Sequence, residues 1–329
     1  MPIHSTRRLA LRLACILGVA ALSAAPVAYA ADPNYPTRPI HIIHGYPAGG
    51  GADVIARQFI ASLQSASGKT FVLDNKPGNA GNVAIGIAAT AKPDGYTMVI
   101  GSSSNMVGAR FFYKDVTFDV FRDFVPVGSF LEGTFVLVAR NETPANSVDD
   151  LAKWLKSRPQ NRFGFSNQLT QLAGEYYKSK TGVIAEPVAY KAATEGYPDL
   201  QNGLLEFMVA DGTTSAGPVK NGKFKAIAVM TGERHPAFPG VPTMRELGYA
   251  DADFSTWWAM YMPVGVDPEI AATMEKWVLA ATKDPALIKF MHESGNAPLH
   301  DDAKATRAHI ERELERWPPL VKAAGIQPQ

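Results

Sequence analysis

Four short segments combine glycine, hydroxyl and amide residues directly after apolar runs. They are Gly45–Gly51, Gly101–Asn105, Ser166–Thr170 and Asp211–Ser215. In α/β sheets, ligands bind beyond the carboxyl ends of the strands, and the free N–H groups at the start of a following helix favour anions. If the segments converge, they would form a pocket for an anionic group such as a carboxylate, without an arginine clamp.

The glycine-rich part of the first segment allows two interpretations. Gly49-Gly50-Gly51-Ala52-Asp53 follows an apolar run and opens a helix. Its glycines could bring backbone N–H groups close to an anion. It could equally be a tight strand-to-helix turn with Asp53 as a cap. The G-x-G-x-x-G spacing of a dinucleotide site is absent.

Residues that could bind a metal or act as a nucleophile are poorly placed for either role. His41 and His44 are three apart on a predicted strand, which puts them on opposite faces. Ser102 and Ser103 follow a glycine but lack the G-x-S-x-G pattern of a nucleophile elbow. We therefore expect no metal, no cofactor and no catalytic residue, and a secreted α/β hydrolase is the weaker alternative.

Composition and the first thirty residues restrict the class of protein. Of 329 residues, 46% are hydrophobic and 19% charged, which is typical of globular proteins. Lys plus Arg number 32 against 31 Asp plus Glu, so no basic excess favours nucleic acid.

Residues 1–30 carry an arginine-rich start, a short apolar stretch and Ala28-Tyr29-Ala30, the pattern of a secretory signal peptide. We expect export to the periplasm by the general secretory route, with cleavage near Ala30. Arg7-Arg8 leaves twin-arginine export as the less favoured alternative.

Apolar runs and helical spacing alternate along the chain, which predicts a parallel or mixed sheet covered by helices. Strands are predicted over 39–44, 71–73, 96–100, 125–130, 135–139, 162–165, 184–189, 207–210 and 224–230. Helices are predicted over 54–65, 82–91, 148–156, 167–180 and 193–201. Ser147 would cap the helix over 148–156. After Trp257-Trp258 we expect helices only, over 268–282, 285–294 and 303–317. The two Trp rings fit core packing, or one could line a cleft between two lobes.

Short motifs in a fixed order carry a resemblance to a known family. They are Tyr35–Ile40, Tyr46–Asp53 followed by Ala56-Arg57, Asp74–Gly81, Pro93–Thr97, Leu172–Glu175, Pro239–Thr243 and Trp257. Each is weak alone, but the ordered set resembles the periplasmic receptors of tripartite tricarboxylate transporters, the Bug-type solute-binding proteins. The resemblance covers nearly all of the chain after the leader.

The resemblance implies an α/β, two-lobe periplasmic-binding-protein (Venus-flytrap) fold with a mostly helical C-terminal tail. Lobe I would hold residues 31–130 and 254–329, and lobe II residues 131–253. The implied function is non-catalytic: capture of a small organic carboxylate, aromatic or dicarboxylic acids included, and delivery to the membrane permease subunits of a tripartite tricarboxylate-type transporter. We expect a monomer. A ligand sensor that signals to a membrane partner is the alternative.

The resemblance and the four segments together give the expected ligand-binding residues. They are Tyr46, Gly49, Gly50, Gly51, Asp53, Ser102, Ser103, Ser166, Asn167, Thr170, Asp211 and Thr213. Gly49 and Gly50 would present backbone N–H groups, and Tyr46 would pack on the ligand. Asp53 would fix the loop or bind an amine. Asn167, Thr170 and Thr213 would satisfy polar ligand atoms from lobe II.

The sequence also departs from the family pattern near these residues. Gln171 stands where the family has His, Gly45 where Pro is usual, and His44 where an apolar residue is usual. Leu169 and the other bulkier side chains of Ser166–Thr170 could narrow the pocket or make it more apolar. Our hypothesis is therefore a carboxylate with an apolar or aromatic body.

Overall fold

A computed structural model describes residues 34–328, so the predicted signal peptide and its cleavage position lie outside the described residues. These residues form one compact unit built on two β-sheets. The strands are β1 (Ile40–His44), β2 (Phe71–Asn75), β3 (Thr97–Ser102), β4 (Phe124–Gly133), β5 (Phe135–Arg140), β6 (Arg162–Phe165), β7 (Glu186–Ala189), β8 (Phe207–Asp211), β9 (Phe224–Val229), β10 (Thr256–Pro263) and β11 (Asn296–Asp301).

The helices cover the faces of the two sheets. They are α1 (Gly51–Ser67), α2 (Asn82–Ala89), α3 (Ala109–Phe112), α4 (Val148–Lys156), α5 (Gln168–Thr181), α6 (Ala193–Gln201), α7 (Gly212–Lys220), α8 (Pro268–Ala281), α9 (Pro285–Glu293) and α10 (Ala303–Ala323). A short 3₁₀ turn (Asn79–Gly81) precedes α2, and a π-helical turn (Ser103–Gly108) follows β3. The predicted cap of α4 is confirmed, because the Asp150 N–H donates to Ser147 Oγ over 3.1 Å.

Both sheets are mixed, as the alternating pattern predicted. The first has the strand order β11-β4-β10-β3-β1-β2, in which β1 is parallel to β2 and β3 while β10 is antiparallel to β3 and β4. The second has the order β7-β6-β8-β5-β9, with β5 antiparallel to both neighbours. In each sheet the parallel strands end at the same edge, so the loops that follow them are brought together.

The chain passes between the two sheets twice. It leaves the first sheet after Gly133, the end of β4, and enters the second at Phe135, with Thr134 between them. It returns between Val229, the end of β9, and Thr256, the start of β10. The first passage lies slightly beyond residue 130, where the sequence placed the end of the first part of lobe I. The lobe boundaries themselves stay a prediction.

The C-terminal part contains two strands that the sequence pattern did not predict. The expectation of helices only after Trp257-Trp258 is wrong, because β10 and β11 both join the first sheet. Every residue of β10 is buried, and a continuous apolar run gives no alternation by which to recognise a strand. β11 contains Pro298 and lies at the sheet edge, where proline is tolerated. The three predicted helices are present as α8, α9 and α10, so the tail is mostly helical.

Candidate functional site

The four polar segments predicted from the sequence converge on one cavity. We call it the inner cavity; its volume is about 60 Å³. Eight of the expected residues line it: Tyr46, Gly50, Gly51, Ser102, Ser166, Asn167, Asp211 and Thr213. They come from both sheets. The first four follow β1 or end β3, and the others follow β6, end β8 or follow β8. Their contact with a ligand stays a prediction.

Helix starts surround the inner cavity. α1 begins at Gly51, α5 follows its cap Asn167, and α7 follows its cap Asp211. A further helix start, Ala192–Thr194 of α6, also lines the cavity and was not among the expected residues. It lacks the Gly- and Ser-rich composition that identified the others. Several helix N-termini aimed at one cavity make an environment that favours a negative charge.

Asp53 organises the loop between β1 and α1 but does not line the cavity. Its side chain is buried, and Oδ2 accepts the Gly49 N–H over 2.9 Å and Arg57 Nε over 2.8 Å. Oδ1 accepts from Asn75 Nδ2 over 2.9 Å. Burial acts to raise the pKa of Asp53, but these hydrogen bonds outweigh it and hold the pKa below its usual value. Asp53 therefore fixes the loop, which is the first of the two roles expected of it.

The same bond corrects the expected role of Gly49. Its N–H was expected to face the ligand, but it donates to Asp53 Oδ2 within the loop. Gly49 is also exposed and absent from the lining of the inner cavity. Gly50 and Gly51 are the two glycines of the loop that reach the wall.

Thr170 and Ser103 lie behind the cavity wall. Thr170 is fully buried, and its Oγ1 accepts the N–H groups of Ser166 and Asn167, each over 3.1 Å. The Ser103 hydroxyl is buried and lies 3.0 Å from the Thr256 hydroxyl. Both side chains thus hold lining residues in place. This role differs from the direct contact with a ligand that was expected of them. Leu169 is fully buried in the hydrophobic core, so the expectation that it narrows the pocket is wrong.

Asp211 is the acidic side chain of the inner cavity. Its Oδ1 accepts both the N–H and the hydroxyl of Thr214 over 2.9 Å, which caps α7. Desolvation raises the pKa of Asp211, and the bonds from Thr214 offset this only in part. A Cβ on Gly51 would lie 2.9 Å from Asp211 Oδ1 and 2.8 Å from Thr214 Cγ2. A larger residue at position 51 would therefore displace these side chains of α7 and its cap.

An aromatic group forms another part of the wall. The rings of Tyr46 and Trp258 are stacked with centroids 6.1 Å apart, and His44 packs against them at 5.5 and 5.6 Å. Burial lowers the pKa of His44 to about 4, although the nearby Asp53 carboxylate acts in the opposite direction. Burial raises the pKa of Tyr46 to about 12, partly offset by the Ser102 hydroxyl. The site thus combines helix starts with a flat apolar surface.

Trp258 is the one of the two Trp rings that lines the cavity, and Asn296 is a lining residue that the sequence did not predict. Successive β10 side chains point to opposite faces: Trp258 lines the cavity while Trp257 packs near His309. Asn296 enters from β11, the strand that the sequence did not predict, and its Nδ2 donates to Thr213 Oγ1 over 2.8 Å. The only charged side chains among the described lining residues are Asp211 and Lys191.

The structure offers no arrangement for a resident metal within residues 34–328, where no group of three or more His, Cys, Asp or Glu side chains could hold one. None of the helices in that range is long and apolar enough to cross a membrane.

Comparison with known proteins identifies the family. A family model described as "Tripartite tricarboxylate transporter family receptor" matches residues 55–326. The chain belongs to this family. The resemblance drawn from the ordered motifs is therefore confirmed. Among curated relatives of this receptor family, protein BugT of Bordetella pertussis is 29% identical over 320 residues, which span 96% of this chain and 98% of BugT.

Solved structures of similar proteins share the fold. R. palustris Rpa4515, solved with adipate, gives a TM-score of 0.85 at 29% identity and covers 90% of this chain and 100% of its own. The periplasmic binding protein BugD gives a TM-score of 0.84 at 27% identity, covering 90% of this chain and 100% of its own. The predicted two-lobe periplasmic-binding-protein fold is confirmed by these neighbours.

Proposed function

We propose that this protein is a periplasmic solute-binding receptor that captures one small organic carboxylate in the inner cavity and delivers it to the permease of a tripartite tricarboxylate-type transporter. The observation that carries the proposal is the convergence, on one cavity, of helix starts that follow strands of both sheets. A receptor similar to this chain, R. palustris Rpa4515, was solved with the carboxylate adipate.

The lining suggests how the ligand is oriented. The starts of α1 and α6, with Lys191 beside α6, face the carboxylate group. Asp211, Thr213 and Asn296 are polar groups on the wall that accept or donate hydrogen bonds to the rest of the ligand. The stacked rings of Tyr46 and Trp258 pack against its carbon atoms.

Binding would shift an equilibrium between open and closed arrangements of the lobes. We take lobe I as residues 31–130 with 254–329 and lobe II as residues 131–253. The two passages between the sheets, at Thr134 and between Val229 and Thr256, lie at or close to these boundaries. Closure brings Gly51 of one lobe against Asp211 and Thr214 of the other. The ligand stabilises the closed arrangement because only there do both lobes contact it.

The remaining parts of the proposal concern location and partners. The chain is exported, cleaved near Ala30 and acts as a non-catalytic monomer in the periplasm, where receptors of its family act. The permease would recognise the closed arrangement. Uptake of the identified ligand in cells with and without this receptor, and with and without the permease, distinguishes delivery from sensing.

A thermal-unfolding screen tests the proposal. The purified protein is unfolded, dialysed and refolded to remove any bound ligand, then screened against mono-, di- and tricarboxylates, aromatic acids, acidic amino acids and sugars. A ligand at a hundred times its Kd adds about 2.7 kcal/mol to the free energy of unfolding, which shifts the midpoint by several degrees. We expect such shifts with carboxylates only. Stabilisation by sugars alone would contradict the proposal.

A further inference from the structure

A second, larger space adjoins the inner cavity. We call it the outer hollow; its volume is about 590 Å³. The two spaces share five lining residues, Tyr46, Pro47, Ser166, Asn167 and Lys191, which therefore form the boundary between them. The outer hollow extends from this boundary towards the loop Pro77–Gly81 on one side and Gln168 and Gln171 of α5 on the other.

The inner cavity is much the smaller of the two spaces, about 60 Å³ against about 590 Å³. A ligand whose carboxylate lies among the helix starts of the inner cavity and whose carbon body is bulky therefore extends across the boundary, and the outer hollow lies directly beyond it.

The lining of the outer hollow suits a flat and uncharged body. Tyr113, Phe165 and Tyr190 present partly buried aromatic rings to it. Its charged side chains are Lys191 and Glu195, which have opposite signs and give no net attraction for a second carboxylate. Aromatic rings pack well against other rings in offset or edge-to-face arrangements.

Gln168 adds an unsatisfied hydrogen-bonding group at the edge of the same space. Only 1% of its surface is exposed, and neither amide atom has a hydrogen-bond partner among the described residues. Buried amide groups are normally hydrogen-bonded. An unpaired amide beside the outer hollow therefore indicates that a molecule bound there supplies the partner, after a small movement of the Gln168 side chain. Gln171 lines the hollow three residues further along α5.

The opposite wall is held in a fixed shape. Asn79 and Ala80 have φ values of 45° and 49°, which are uncommon for residues other than glycine. Gly45 packs directly against this loop, since a Cβ there would lie 2.6 Å from Gly81 Cα. A side chain at position 45 would therefore displace this wall of the outer hollow.

We propose that the outer hollow is a second compartment of the ligand site, which holds the ring of an arylalkyl monocarboxylate while its carboxylate lies in the inner cavity. This inference rests on the proposed function and refines its ligand class. The ring stacks among Tyr113, Phe165 and Tyr190, and a hydroxyl or amide on the ring bonds to Gln168.

Calorimetry with three probes tests the compartment on the refolded protein. We expect 3-phenylpropionate to bind at least tenfold more tightly than propionate, and more tightly than the dicarboxylate adipate. Phe165→Ala should lower the ratio of affinities for 3-phenylpropionate over propionate about tenfold. Phe121→Ala is the matched control, because Phe121 is a partly buried aromatic residue that contacts Arg307 and lines neither space; it should leave the ratio unchanged.

The outcomes separate this inference from the proposed function. Binding of propionate or adipate with no gain for 3-phenylpropionate overturns the second compartment and leaves the receptor proposal intact. Equal effects of Phe165→Ala and Phe121→Ala on the ratio also overturn it. Binding of no carboxylate of any kind removes both. If Phe165→Ala does not fold, Tyr113→Leu provides the same comparison from another ring of the hollow.

Discussion

Asn296 Nδ2 donates a hydrogen bond to Thr213 Oγ1 over 2.8 Å, which joins two elements that are 83 residues apart in sequence. Asn296 begins β11 of the first sheet, and Thr213 lies in the first turn of α7, directly after a strand of the second sheet. Both side chains line the inner cavity. The bond therefore links the two halves of the site beside the position proposed for the ligand.

Removing either partner of this bond should weaken ligand binding. A hydrogen bond contributes about 1 kcal/mol net, so Asn296→Ala or Thr213→Val should each raise the Kd about fivefold. Because they share one interaction, the double variant should be no worse than either single variant. Calorimetric Kd values for the four proteins form a double-mutant cycle. Fully additive effects would instead indicate two separate contacts to the ligand.

Gly51→Ala should impair closure. Its Cβ would lie 2.9 Å from Asp211 Oδ1 and 2.8 Å from Thr214 Cγ2, so the lobes cannot approach fully. We expect ligand affinity to fall at least tenfold while the unliganded melting temperature changes little. Gly217→Ala is the control: Gly217 also lies in a helix, a Cβ there would contact nothing within 4 Å, and its affinity should equal that of the parent. A normal Kd for Gly51→Ala would contradict the proposed closure.

Asp211→Asn should strengthen the binding of simple carboxylates several-fold. Asp211 contributes the negative charge of the inner cavity, and desolvation raises its pKa. Asparagine keeps an oxygen that can accept from Thr214 and cap α7, but it removes repulsion of the ligand anion. Titration calorimetry of both proteins with the same acid measures the change. A loss of affinity would show that Asp211 accepts a hydrogen bond from an amine or hydroxyl of the ligand.

Stability should fall in mildly acidic solution because of His44. Burial lowers the pKa of His44 to about 4, below its ordinary value of 6.5. Between these two pH values His44 is therefore neutral in the folded chain but protonated in the unfolded chain. The titration of His44 leaves the free energy of unfolding unchanged above about pH 6.5. It lowers the free energy of unfolding as the pH falls from about 6.5 towards 4, by roughly 3 kcal/mol in all.

Urea unfolding at several pH values checks this dependence. His44→Leu should reduce the slope of the free energy of unfolding against pH between about pH 6.5 and 4, since leucine binds no proton. The family pattern has an apolar residue at this position, and leucine suits the space between Tyr46 and Trp258. An unchanged slope in the variant would show that other groups cause the acid sensitivity.

Local sequence signals correctly predicted much of the fold. The helices Val148–Lys156 and Ala193–Gln201 and the strand Arg162–Phe165 have the predicted bounds, because periodicity, a serine cap and flanking turn residues act within a few positions. The same local chemistry predicted polar loops at strand ends, and Tyr46, Gly50, Asn167 and Asp211 do lie on one cavity wall. Parallel strands bring such loops to one edge whatever the remainder of the chain does.

Other features depended on contacts between distant parts of the chain. β10 is an unbroken apolar run, so only its pairing with β3 and β4 directs Trp258 to the cavity and Trp257 away from it. Asn296 reaches the site because β11 pairs with β4. The sequence by itself determined the chemistry of the loops, since helix starts and small residues favour an anion locally. Which N–H groups, rings and amides remain available to the ligand depends on the tertiary structure. A buried polar group forms its hydrogen bond with whichever partner the fold brings near it.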